Sequence, residues 1–186
     1  ALTAANEQLE TANRQVMESM RYARLIQDGV QPNTAELSAA LGRYSLFHRQ
    51  RDVVGGDYLF FKNVISRELG AGYLLGVVDC EGHGVSGALM TMMADSFLNQ
   101  ISAGRDGSDP AGMLLDLEDA VTQSLDRSGD SSTVRSGMDV GLCACFPEQD
   151  TLVYAGAGMP LYIREADATL TVHKGRRRAI KSRHRH

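Results

Sequence analysis

The sequence has no tryptophan, only three cysteines and four prolines, and no apolar run long enough to cross a bilayer. The odd cysteine count, without a CxxC pair, argues against a disulfide framework and against a zinc site. Cys143 and Cys145 are spaced to share one face of a strand and read as small core residues. Such usage fits a reducing cytoplasm. No signal-peptide pattern opens the chain. It begins at Ala1 rather than methionine, as expected of a piece of a longer protein whose membrane anchor, if it has one, lies upstream. Acids are missing from the far end. Of 19 Lys and Arg, seven fall between Lys174 and His186, leaving 12 against 23 acidic residues elsewhere. No Phe, Tyr or Trp interleaves these basic residues, so a nucleic-acid partner is not expected. A solvated basic tail over residues 176–186 is the simpler reading.

What is present is ordinary for a globular domain: 43% hydrophobic and 23% charged residues. Leu2, Leu9, Val16, Ala23 and Val30 recur every seven residues, with Ala5, Ala12, Ser19 and Ile26 between them. This predicts one helix over residues 1–31, ended at Pro32, with a seam suited to parallel pairing in a homodimer. Packing of that helix on its own domain is the alternative. Residues 32–175 then form one domain. Strands are expected at Tyr44 to Arg51, Tyr58 to Ile65 and Tyr73 to Val78. A helix capped by Ser86 is expected to run to Ala103, burying Leu89, Met92, Met93, Phe97 and Ile101. Asp109 and Pro110 open a second helix whose stripe is Met113, Leu114, Leu117, Val121 and Leu125. After a polar loop at residues 126–137, Met138, Val140, Leu142, Ala144 and Phe146 alternate with smaller or polar residues, and further strands follow at Thr151 to Tyr154, Leu161 to Ile163 and Thr169 to His173. Strands, two helices, then a meander of strands predict an α+β fold, with antiparallel sheet and helices on one face.

Two acids stand between apolar strands and glycines. Asp57 follows Gly55-Gly56; Asp79 follows a run of leucine and valine and precedes Gly82 and Gly84. Carboxylates presented at adjacent strand ends, beside backbone that approaches closely, are a start for a magnesium or manganese site. The alternative leaves Asp57 in a turn and Asp79 in the loop ahead of a helix. His83 lies between two glycines, where a turn histidine bonded to backbone is favoured over an acid/base role. Cys80 with His83 lacks a third orienting group, which argues against a cysteine nucleophile.

Three stretches carry a resemblance. "RDVVGGDY", "VVDCEGHGVSGALMTMM" and "LVYAGAGMPLYI" together resemble the SpoIIE/RsbU branch of the metal-dependent protein phosphatases, the PPM family, over roughly residues 20 to 175. The resemblance implies a PPM-type sandwich of antiparallel sheets flanked by helices. It implies hydrolysis of phosphoserine or phosphothreonine by metal-activated water, with two divalent cations, manganese or magnesium, as cofactors. By position, Asp79 matches the aspartate that bridges the two ions, the Cys80 carbonyl a backbone ligand, and Asp57 the aspartate beside the site. "RYARLIQDGVQP" resembles the switch helix leading into such domains, which points to Tyr22, Ile26 and Gln27 as regulatory. The implied partner is a phosphorylated protein, such as a STAS-like anti-sigma-factor antagonist. Two departures stand out. The family's remaining metal aspartates are expected beyond His186, and Met159 stands where many relatives have histidine. A catalytically incomplete module acting as a dimeric signalling scaffold is therefore the alternative function.

Overall fold

The computed structural model describes residues 2–126 and 137–181. Two helices come first, α1 (Leu2–Val30) and α2 (Thr34–Leu41). Strands β1 (Asp57–Ser66) and β2 (Gly70–Cys80) form a hairpin, followed by α3 (Gly84–Gly104) and α4 (Pro110–Asp126). The chain ends in β3 (Gly137–Phe146), β4 (Thr151–Ala157), β5 (Leu161–Arg164), β6 (Leu170–His173) and β7 (Ile180–Lys181). The main sheet is antiparallel in the order β1-β2-β3-β4, with β7 paired to the start of β3; β5 and β6 make a separate hairpin. The polar loop expected at 126–137 falls almost wholly outside the described residues.

Period two in the strands decides which face is covered. Phe60, Leu74, Val78, Met138, Val140, Leu142, Ala144 and Phe146 all point to one side and are almost fully buried. Against them pack Ala94 and Leu98 from α3 and Met113, Leu117 and Val121 from α4. Each large side chain so buried contributes about 1.5–3 kcal/mol. The opposite side carries Leu59, Phe61, Leu75, Cys143 and Cys145, which are half-buried, and Val77, which is exposed. The two cysteines are thus on the less covered face, not in the core expected of them. The α4 stripe matches expectation. Asp109 Oδ1 accepts the Gly112 amide at 2.8 Å and opens that helix.

Several expectations are corrected. Residues 44–51 are not a strand. Leu46 and Phe47 are adjacent rather than alternating, so the segment has no single apolar face, and Phe47 is 92% exposed. Helix α3 begins at Gly84, with His83 in the N-cap position, and Ser86 lies inside its first turn, donating to the His83 carbonyl. Its buried residues include Met90, Thr91, Ala94 and Leu98; of those expected, Met93, Phe97 and Ile101 pack half-buried against the core, whereas Leu89 is exposed. Apolar residues surround α3, so periodicity alone does not select the face. Residues 176–181 do not hang free. Ile180 is fully buried, Arg176 pairs with Glu118 at 3.0 Å, and Lys181 pairs with Glu81 at 2.6 Å.

Helix α1 reaches the domain only at its C-terminal half. Its one buried residue is Gln27, with Met20, Ala23 and Val30 half-buried on the same face. Leu2, Leu9 and Val16 are exposed along the seam.

Candidate active site

Strand register brings three carboxylates into one row. Asp57 on β1 lies opposite Asp79 on β2, and Asp79 lies opposite Asp139 on β3. Residues directly opposite in an antiparallel pair share a face, with Cα atoms about 4.5–5.5 Å apart. The row crosses the helix-free side of the sheet at its edge. Lost hydration, then the charges of Asp57 and Asp139, push the Asp79 carboxyl above the ordinary carboxylate range, and a side-chain hydrogen bond with Asp57 adds to this. Among the described residues no Lys or Arg pairs with any of the three.

Two loops frame the row. Gly55-Gly56 leads into Asp57, and residues 81–83 leave Asp79 and Cys80 for α3. The loops touch through backbone: the Cys80 amide donates to the Gly56 carbonyl at 3.0 Å. A Cβ on Gly56 would collide with the Cys80 carbonyl, and one on Gly87 would crowd Gly56 and the Gly82 carbonyl. Glycine at these positions therefore permits the close approach. Gly82 and Gly84 also adopt positive φ, +107° and +64°. The Cys80 thiol is buried and pushed up to about 12, first by desolvation, then by Asp79 and Asp57.

His83 does not bond backbone with its ring. Its Nδ1 lies 2.8 Å from Asp52 Oδ2, both side chains being partly exposed. A cleft of about 370 Å³ opens beside Asp57 and Asp79, bordered by Leu59, Val77, Met159 and Phe47.

Gln27 reaches the first loop from α1. Its Nε2 donates to the Gly55 carbonyl at 2.7 Å and to Thr91 Oγ1 at 2.9 Å. Its Oε1 accepts from the Gly55 amide at 3.2 Å and from Gln50 Nε2 at 3.3 Å. Arg24 adds a bond to the Val53 carbonyl at 3.2 Å. Tyr22 and Ile26, the other expected regulatory positions, are 67% and 41% exposed.

The donor set suits a hard divalent cation in type and charge: carboxylate oxygens with a backbone carbonyl nearby, and like charges with no cationic side chain between them. Among the described residues, however, no three His, Cys, Asp or Glu side chains converge on a point where an ion would be held. Asp139 is the member that the sequence reading missed. It sits near the start of an alternating strand, with Gly137 and Gly141 two residues to either side, and the β2–β3 register shows its company.

The Stage II sporulation protein E (SpoIIE) family matches residues 70–180, more than half of the chain. The chain belongs to the SpoIIE family. Among solved structures it is similar to the SiaA-PP2C domain of Pseudomonas aeruginosa, at 36% identity and a TM-score of 0.75. That match covers 91% of this chain and 64% of the other, so this SpoIIE domain spans somewhat under two thirds of its relative's length. A search of curated proteins gave no match. The fold is accordingly the α+β PPM type, and Asp79 and Asp139 lie within the stretch that matches the SpoIIE family.

Proposed function

We propose that this domain hydrolyses phosphoserine or phosphothreonine on a partner protein, using two divalent cations, manganese or magnesium. The observation that carries the reading is the row Asp57, Asp79 and Asp139, three acids in register without a counter-cation among the described residues. Asp57, Asp79 and the Cys80 carbonyl would hold the ions, with Asp139 beside them. Bound divalent cations lower the pKa of a water and offset charge on the phosphoryl group.

The remaining tasks fall to side chains of the two loops. A covalent nucleophile is not required, and Cys80, with its thiol near 12, is unsuited to be one. The serine oxygen released from phosphorus must gain a proton. Glu81 is tied to Lys181, and the imidazole that borders the cleft beside Asp57 and Asp79 is that of His48.

Helix α1 supports a regulatory role. Gln27 fixes the loop before Asp57, so a movement of α1 would reach the site through one amide. The exposed seam Leu2, Leu9 and Val16 supports homodimer formation through α1. We place the domain in the cytoplasm, with a STAS-like phosphoprotein as its partner; any membrane attachment would lie upstream. No helix among the described residues is long and apolar enough to cross a membrane.

The open side of the row favours a second reading, a dimeric scaffold without turnover. Phosphate release from a phosphoserine protein separates the two. Manganese-dependent release that vanishes in Asp79→Asn supports the enzyme; no release from the native chain supports the scaffold.

A further inference from the structure

We infer that Arg49 marks a subsite for an acidic side chain of the partner protein, close in sequence to its phosphoserine; the inference rests on the phosphatase reading of the row. Beside the cleft at Asp57 and Asp79 lies a second cavity, of about 290 Å³. Arg24, Asp28 and Gln31 line it from α1 and the residue after it, and His48, Arg49 and Gln50 line it from the coil ahead of β1. Gln31, His48 and Arg49 also line the cleft, so the two hollows share one wall. An extended chain advances about 3.3–3.6 Å per residue, and a peptide with its phosphoserine at the row crosses that wall within about three residues.

The cavity is cationic and incompletely bonded. Arg24 is engaged, by Asp28 at 3.4 Å and by the Val53 carbonyl at 3.2 Å. Arg49 pairs with no carboxylate among the described residues, and its guanidinium fork matches the two oxygens of one. Two amide atoms of the lining residues are buried without a partner: Gln31 Nε2, a donor, and Gln50 Oε1, an acceptor. An acidic residue of a peptide brings what each lacks, carboxylate oxygens for Arg49 and Gln31 Nε2, and a backbone N–H for Gln50 Oε1. A free carboxylate anion has no N–H to offer Gln50, which favours a peptide. The row itself repels an acidic partner, so the attraction that selects one phosphoserine over another comes from this neighbouring cavity.

The test uses phosphoserine peptides in which one aspartate is walked from three residues before the phosphoserine to three after, each beside its asparagine twin. With manganese, one position should raise kcat/KM about fivefold for aspartate over asparagine, and the ratio should shrink as salt rises. Arg49→Gln should bring that ratio to about one, and Arg49→Glu should favour lysine at the same position. Arg49 is exposed, so neither variant disturbs the core. A ratio near one at every position, a preference for asparagine, or a ratio that survives Arg49→Gln would overturn the inference. So would an Arg49→Gln loss that is equal on every peptide and on p-nitrophenyl phosphate, since Arg49 would then serve the phosphoryl group. Fluorescence anisotropy of the same peptides needs no turnover. If the native chain releases no phosphate, the phosphatase reading fails, while tighter binding of the aspartate peptide that is lost in Arg49→Gln still upholds the subsite, and equal binding of both twins overturns it.

Discussion

Gln27 and Gly55 are joined by two hydrogen bonds, amide to peptide: Nε2 to the Gly55 carbonyl at 2.7 Å, and the Gly55 N–H to Oε1 at 3.2 Å. Both residues are buried, and Gly55 is two residues from Asp57. This is the point where the one buried side chain of α1 is fastened to the loop ahead of the carboxylate row.

Gln27→Ala strips the Gly55 peptide of both partners. Each buried polar group left unpaired costs about 1–3 kcal/mol, so with two such groups the variant should lose about 2–6 kcal/mol of stability in urea unfolding. Manganese-dependent phosphate release should fall at least tenfold at a temperature where the variant stays folded. Full activity in a folded Gln27→Ala protein would show that the loop does not depend on α1.

Much of this arrangement is legible in the sequence. Alternation from Met138 to Phe146 and the stripe from Met113 to Val121 reproduce the observed core because each element has one apolar face. Asp57 and Asp79 stand out because glycines flank them. Asp139 also has glycines two residues to either side, but its importance comes from pairing with a strand about sixty residues earlier, and register is a property of two segments together. Ile180 was hidden for a different reason. One apolar residue in a basic stretch has no periodicity, and its burial comes with the pairing of β7 to β3, beside the ion pairs of Arg176 with Glu118 and Lys181 with Glu81.

Along α1 the outward seam should mediate self-association. Leu9 and Val16 are 67% and 52% exposed, and lysines at a coiled-coil seam place like charges opposite each other. Sedimentation should show a dimer for the native chain and a monomer for Leu9→Lys with Val16→Lys. A native monomer, or a dimer that survives both lysines, would remove the seam from the account.

The thiols should be slow to alkylate. Burial pushes Cys80 up to about 12 and Cys143 to about 11, with Cys145 raised as well. A raised thiol pKa means less thiolate: at pH 8 a thiol near 11 is ionised to about one part in a thousand. Iodoacetamide should therefore label Cys80 and Cys143 in the folded chain about a hundredfold more slowly than free cysteine, with a rate rising about tenfold per pH unit from 7 to 9. In denaturant all three thiols should react. Rapid labelling of one folded thiol would revive a cysteine-based chemistry at this site.

The measurement that bears most directly on the central claim is thermal unfolding with and without manganese, for the native chain, Asp79→Asn and Asp139→Asn. In EDTA, neutralising Asp79 removes a charge from between two others, so Asp79→Asn should unfold at a higher temperature than the native chain. With manganese at about a hundred times its Kd the native chain should gain about 2.7 kcal/mol, while Asp79→Asn gains little and Asp139→Asn an intermediate amount. If manganese leaves the native chain unmoved, or stabilises Asp79→Asn equally, the carboxylate row is not a cation site.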